Sequence, residues 1–197
     1  MILPTTPMLP AFLGRQMQIA FVVKDLDEAL RFWTEAMNVG PFVVIEGTMD
    51  DRHFVHRGQV SPVKATLAFC YVGETQIEII CQSNDAPSPY TEFLASGRQG
   101  MQHIAFWPED FDAAGAALEA MGFETVCAIG TPTSTQNVTY YSGPEHLGVM
   151  VEIAPTTPDR LRYFAGMKHL ADNWDGTRPI RRFRTRAEYM ASDDCNA

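Results

Sequence analysis

The sequence has few cysteines, no long apolar run and a shortage of basic residues, and each lack excludes a class of protein. Its four cysteines are scattered without a CxxC spacing, so we expect free thiols in a reducing cytoplasm rather than a disulfide framework. No apolar run approaches the ~20 residues that a membrane-spanning helix requires. The opening MILPTTPMLPAFLG contains three prolines and lacks a basic start, which is not typical of a signal peptide.

Basic residues are outnumbered, since 15 lysines and arginines stand against 24 aspartates and glutamates, for a net charge of −9. This balance argues against nucleic acid or an anionic membrane as the main partner. Hydrophobic residues make up 46% of the 197 residues, which is enough to bury a core as one compact unit or two small modules. We therefore expect a cytoplasmic globular protein.

One stretch of the sequence occurs twice. The segment QIAFVVKDLD, which begins at Gln18, recurs as HIAFWPEDFD, which begins at His103, 103 − 18 = 85 residues later. A period of this length is too long for a solenoid repeat and is typical of a duplicated supersecondary unit. Within the repeat, glutamine at position 18 is replaced by histidine at position 103.

The apolar patterns after each copy predict the same order of elements, β-α-β-β-β. In both copies an apolar run is followed by an aspartate that can cap a helix and by apolar residues at helical spacing. Three further strand-like runs complete each module. The predicted divisions are an N-terminal arm (1–15), a first module (16–85), a connector (86–100), a second module (101–155), and a C-terminal helix with a loosely attached polar tail (156–197).

Four polar residues interrupt otherwise apolar predicted strands: Gln18, Glu78, His103 and Glu152. Gln18 and His103 occupy equivalent positions in the first strand of each module, and Glu78 and Glu152 occupy equivalent positions in the last. Each side chain alone is compatible with a solvent-facing strand position. Because burying an unpaired carboxylate is costly, the symmetric set favours a shared site, and its nitrogen and oxygen donors suit Zn²⁺, Ni²⁺, Co²⁺ or Mn²⁺.

The segments QIAFVVKDLDEALRFW, HIAFWPEDFD, TQIEII and GVMVEIAP resemble the vicinal-oxygen-chelate superfamily, which comprises the glyoxalase, bleomycin-resistance and extradiol-dioxygenase proteins. The resemblance covers residues 16–155. It implies an α+β fold in which two tandem β-α-β-β-β modules form a cupped mixed sheet, followed here by a C-terminal helical extension. It also implies one divalent metal ion held by Gln18, Glu78, His103 and Glu152.

The resemblance further implies an isomerase, lyase or epimerase similar to glyoxalase I or methylmalonyl-CoA epimerase. The metal would hold two oxygens of a small organic acid, thioester or hemithioacetal and stabilise an enolate. Glu152 or Glu78 would take and return the C–H proton, and His103 would remain a neutral ligand. Extradiol dioxygenases of the superfamily bind iron with two histidines and one carboxylate. Because Gln18 breaks that pattern, the resemblance does not favour dioxygenase activity.

Two other functions remain open at the level of sequence. One is a non-catalytic protein that binds a drug or metabolite, as bleomycin-resistance proteins do, and the other is a biosynthetic isomerase or cyclase acting on a keto-metabolite. The expected partner is a small-molecule substrate, with a possible homodimer. We expect His53 and His56 to lie at the surface, and the basic segment 178–186 to be solvated, to grip an anionic substrate or to contact another subunit.

Overall fold

The structure is a computed structural model that describes residues 12–196. Within this range the strands form one eleven-stranded mixed sheet, in the order β11-β2-β5-β6-β1-β7-β10-β9-β8-β3-β4. Their bounds are β1 Arg15–Val22, β2 Phe42–Ile45, β3 His53–His56, β4 Gln59–Val60, β5 Ala65–Val72, β6 Thr75–Gln82, β7 Gly100–Trp107, β8 Glu124–Gly130, β9 Val138–Ser142, β10 Met150–Ile153 and β11 Ile180–Phe183.

Six α-helices accompany the sheet in the described part of the chain, with a π-helical turn after the first and a 3₁₀ turn before β10. Their bounds are α1 Leu26–Arg31, the π turn Phe32–Ala36, α2 Pro89–Ala95, α3 Phe111–Ala120, the 3₁₀ turn Glu145–Leu147, α4 Pro158–Asp172, α5 Arg186–Ala191 and α6 Asp193–Asn196. In the part of the chain described here, no helix is long and apolar enough to cross a membrane.

The predicted α+β fold of two β-α-β-β-β modules is confirmed. The first module has the strand order β2-β5-β6-β1 and the second has the mirrored order β7-β10-β9-β8, and antiparallel pairing of β1 with β7 joins them. The two module helices start as predicted, because the Asp25 side chain accepts a hydrogen bond from the Glu28 amide and Asp110 accepts one from the Ala113 amide.

Alternation along the strands separates the two faces of the sheet. In β6, Ile77 and Ile79 pack with Leu30 of α1 in one apolar cluster. Glu78 lies between these two isoleucines and Gln76 precedes them, so both side chains project toward the opposite face. On that opposite face the sheet meets α4, whose Phe164 ring lies 5.6 Å from the ring of Phe69 in β5. The sheet thus carries its helices α1 and α3 on one side and receives the C-terminal extension on the other.

The polar stretch after β2 forms a β3–β4 hairpin, and β3 pairs antiparallel with β8, so the first module extends the sheet of the second. The C-terminal tail was expected to be loosely attached, and this expectation is wrong. Strand β11 pairs in parallel with β2, and Tyr189 of α5 is fully buried. The tail is docked although its sequence is polar, because some of its arginines form ion pairs across the fold, including Arg182 with Asp27.

Removal of the Tyr189 ring tests the attachment of the C-terminal extension. Because the ring is fully buried and packs edge-on against Tyr163 and Phe183, Tyr189→Ala should lower the free energy of unfolding by about 3 to 5 kcal/mol. Tyr189→Phe, which keeps the ring, should stay within about 1 kcal/mol of the wild type. Urea unfolding followed by circular dichroism measures both. An alanine variant as stable as the phenylalanine variant would contradict the docked extension.

Candidate active site

The four candidate side chains lie on four neighbouring strands, in the order β6, β1, β7 and β10, and they form two short rows across the sheet. In one row Ala20 of β1 lies between Glu78 of β6 and His103 of β7. In the other row Ala105 of β7 lies between Gln18 of β1 and Glu152 of β10.

Cross-strand neighbours project from the same face of a sheet. Positions two apart on one strand do so as well. The rows therefore share a face, and the small alanine at the centre of each leaves room for the long side chains that flank it.

Three of the four side chains approach one another closely. Glu78, His103 and Glu152 each offer a ligand atom, and these atoms all lie within 4.8 Å of one another. Nε2 of His103 is 3.4 Å from Oε2 of Glu78 and 3.2 Å from Oε2 of Glu152. All three residues are buried, with His103 fully so. Gln18 is also buried and lines the same cavity as the two glutamates.

Several polar atoms of this cluster have no hydrogen-bond partner among the described residues. They are Oε1 of Gln18, Oε2 of Glu78 and Nε2 of His103. The contacts of His103 with the carboxylates are thus close enough for an ion pair but lack hydrogen-bond geometry. A buried polar atom without a partner costs about 1 to 3 kcal/mol. Three such atoms on neighbouring side chains fit a group that all three would contact at once, and a divalent cation is such a group.

Neighbouring glutamines orient two of these side chains. Nε2 of Gln18 donates to Oε1 of Gln76 at 2.6 Å, and Gln76 in turn donates to the Tyr71 hydroxyl at 2.8 Å. The Gln18 amide is therefore held with its oxygen as the unpaired atom. Nδ1 of His103 lies 2.6 Å from Oε1 of Gln102. Because an amide oxygen can only accept, Nδ1 carries a hydrogen, and Nε2 is the nitrogen that faces the carboxylates and that a metal would bind once its proton is displaced, as is usual for metal-binding histidines.

Burial and charge act in opposite directions on this cluster. Burial disfavours the charged form of His103, but the close carboxylates of Glu152 and Glu78 outweigh this effect and raise the pKa of His103 to about 9. Burial raises the pKa of Glu78, while the contact with His103 lowers it in part. The metal-free cluster therefore retains a proton that a cation would have to displace.

Gln18, Glu78 and Glu152 line a cavity of about 110 Å³, whereas the fully buried His103 contacts both carboxylates without lining it. Tyr90 and Tyr140 line it too, and their hydroxyl oxygens are 3.1 Å apart. The Tyr140 ring lies 4.6 Å from the His103 ring, centroid to centroid. Burial raises the pKa of both tyrosines well above the usual value, so both keep their protons. The cavity thus joins a carboxylate-histidine cluster to a pair of neutral hydroxyl groups.

Local sequence patterns gave no sign of the tyrosine pair or of Arg52 and Arg160, which line the cavity. Arg186 also lines it, and it belongs to the basic segment 178–186, for which an anionic substrate was one of three expected roles. Tyr90 lies in the polar connector SNDAPSPYTEF and Tyr140 in the strand-like run NVTYYSG, and core packing is the commoner use of an aromatic ring in either place. The histidines of β3 were assigned to the surface. His53 is exposed, but this assignment is wrong for His56, which is buried and lies 3.0 Å from Oε1 of Glu92.

Comparison with known proteins agrees with the fold. A family model described as the Glyoxalase/Bleomycin resistance protein/Dioxygenase superfamily matches residues 17–141. No curated protein sequence gives a significant match.

Among solved structures, methylmalonyl-CoA epimerase from Mycobacterium tuberculosis is 20% identical, with a TM-score of 0.54 over 78% of this chain and 96% of that one. A Streptomyces coelicolor methylmalonyl-CoA epimerase variant in complex with 2-nitronate-propionyl-CoA is 18% identical, with a TM-score of 0.53 over 74% and 96%. A hypothetical protein from Bacillus halodurans is 16% identical, with a TM-score of 0.54 over 73% and 94%. At these identities the similarity shows a shared fold.

Proposed function

Because the chain belongs to the glyoxalase/bleomycin resistance protein/dioxygenase superfamily, we propose that it is a metal-dependent enzyme that removes a proton from the carbon beside a carbonyl group. The observation that carries this proposal is the set of unpartnered buried atoms on Gln18, Glu78 and His103 beside the carboxylate of Glu152. The net reaction would be an epimerisation, an isomerisation or a lyase reaction on a small organic acid, thioester or hemithioacetal.

The residues that would hold the ion are Gln18, Glu78, His103 and Glu152, which supply one imidazole nitrogen, one amide oxygen and the oxygens of two carboxylates. This mixture suits Zn²⁺, Ni²⁺, Co²⁺ or Mn²⁺. A bound divalent ion acts as a Lewis acid that polarises a carbonyl group and so acidifies the adjacent C–H bond. The buried position of the cluster strengthens every electrostatic interaction within it, because the local dielectric constant is low.

The proton would pass to a carboxylate of the cluster. Glu78 and Glu152 both reach the cavity, and each has a second oxygen besides the one nearest His103 that can accept a proton. A raised pKa, which burial gives to Glu78, brings a carboxylate closer to the basicity that general-base catalysis needs at neutral pH. The hydroxyls of Tyr90 and Tyr140 would donate hydrogen bonds to substrate oxygen from the same cavity.

The size and lining of the cavity bear on the substrate. A volume of about 110 Å³ is smaller than the roughly 300 to 1,000 Å³ of drug-sized pockets. Only the reacting part of a thioester or hemithioacetal would sit inside, and the remainder would lie outside. A non-catalytic drug-binding protein would need a larger apolar cleft, and the buried carboxylates would then have no role. Enzymatic proton transfer is therefore the better explanation of this site.

Metal titration tests the ligand set. Metal-free wild-type protein should bind one Zn²⁺ or Co²⁺ per chain, and His103→Ala should bind it about 100-fold more weakly or not at all, because a ligand nitrogen is lost. Gln18→Ala should also weaken binding. His53→Ala, which removes an exposed histidine of β3, is the matched control and should leave the affinity unchanged. Equal affinity in all four proteins would exclude this site.

Exchange of substrate protons with solvent tests the reaction. In D₂O the metal-loaded protein should incorporate deuterium beside the carbonyl of an acyl thioester or a hemithioacetal, as followed by NMR. Glu152→Gln or Glu78→Gln should lower the rate by about 10²- to 10⁴-fold, because the base is lost. Glu119→Gln, at an exposed position of α3, should not. Metal content is measured in each variant, and full exchange in both cluster variants with metal retained would refute a carboxylate base.

A further inference from the structure

Three arginines line the same cavity as the proposed metal ligands but have no part in the proton transfer. They are Arg52, Arg160 and Arg186. Arg52 lies between β2 and β3, Arg160 is in the first turn of α4, and Arg186 is the first residue of α5. Two of the three thus come from the C-terminal extension, beyond the residues 17–141 that the family model matches.

Aromatic rings support two of these guanidinium groups. Arg186 lies over the Tyr163 ring, 4.5 Å from its centroid, and Arg160 lies 6.0 Å from the centroid of Phe164. Both arginines are partly buried. Within residues 12–196, no carboxylate oxygen lies within 4.0 Å of the guanidinium nitrogens of either arginine. Arg52 differs, because its Nε lies 3.3 Å from Oδ1 of Asp51. Stacking on a ring holds a guanidinium flat and leaves its N–H groups free for another partner.

The other arginines of the extension differ from these two. Arg178 and Arg181 pair with Asp194, and Arg182 pairs with Asp27. Of the basic segment 178–186, only its last residue reaches the cavity. The extension therefore neutralises three of its arginines with carboxylates, whereas Arg160 and Arg186 line the cavity.

The charges in the cavity are not balanced around Arg160. Burial lowers the pKa of Arg160, the negative charge of Glu152 offsets part of this effect, and the positive charges of Arg186 and Arg52 lower it further. The three arginines share the cavity with the carboxylates of Glu78 and Glu152 but outnumber them, so the guanidinium groups still repel one another. An anion placed among them would relieve the repulsion and restore hydrogen bonds to the guanidinium groups.

We propose that Arg52, Arg160 and Arg186 form an anion subsite that binds a carboxylate or phosphate group of the substrate. The substrate is then a carbonyl compound that carries a second, negatively charged group, and the arginines fix its orientation relative to the base. The planar N–H fork of arginine matches the paired oxygens of either group. This assignment of the substrate rests on the proposed function, whereas the subsite itself does not need the metal.

Calorimetric titration of the metal-free protein tests the subsite directly. The probes are malonate, inorganic phosphate and the uncharged analogue malonamide. Malonate or phosphate should bind the wild type, and the Arg160→Gln/Arg186→Gln double variant should bind it at least about tenfold more weakly, because two charge-assisted contacts are lost. Arg31→Gln, an exposed arginine of α1, is the matched control and should bind as the wild type does. Malonamide should not bind.

The outcomes separate the subsite from the proposed function. Preference for malonate identifies a carboxylate group and preference for phosphate identifies a phosphate group. Equal affinity of the wild type and the double variant, or no binding of either anion to the wild type, overturns the subsite. The wild type, the double variant and Arg31→Gln should all bind Zn²⁺ with equal affinity. If the wild type binds the anion through its arginines but binds no metal, the proposed function is refuted and the subsite is not. If the double variant does not fold, Arg52→Gln and Arg160→Gln are compared singly by the same measurement.

Discussion

The antiparallel pairing of β1 with β7 determines where every candidate functional side chain lies. This pairing sets Ala20 beside His103 and Gln18 beside Ala105, and the parallel strands outside it bring Glu78 and Glu152 to the same two rows. A slip of one residue would turn each strand's candidate side chains to the opposite face of the sheet. The site thus depends on one register between two copies of a duplicated unit, with an alanine at the centre of each row.

Much of this arrangement could be predicted from the sequence, because duplication leaves a local and repeated pattern. The shift of 85 residues that superposes Gln18 on His103 also identifies the modules, and apolar alternation identifies the strands. Isolated polar residues within apolar strands marked Glu78 and Glu152.

The remaining features depend on contacts between distant segments, which local patterns do not encode. The β3–β4 hairpin completes the sheet of the other module, and its short polar strands carry no signal of that partner. The C-terminal extension reads as a solvated tail because its arginines are numerous, yet Arg182 pairs with Asp27, 155 residues away. The role of Arg160 and Arg186 also depends on their position against the rings of Phe164 and Tyr163. Only the folded chain shows which of its arginines are paired with carboxylates and which reach the cavity.

The cost of burying the cluster connects the fold to the proposed chemistry. Two carboxylates and an imidazole in a protein interior are expensive unless they are paired or bind a metal. The contacts of His103 with both carboxylates offset part of this cost and raise its pKa to about 9, but they leave buried acceptor atoms without partners. A cation bound by all four side chains would use these atoms. The arginines that line the same cavity would then form ion pairs with the negatively charged group of the substrate.

Anomalous X-ray scattering from crystals loaded with Co²⁺ or Zn²⁺ tests the central claim most directly, because it locates the ion without reference to activity. The account predicts one strong peak per chain at roughly 2.0 to 2.2 Å from Nε2 of His103 and from oxygens of Gln18, Glu78 and Glu152. No peak in the cavity, or a peak bound by other side chains, would contradict it.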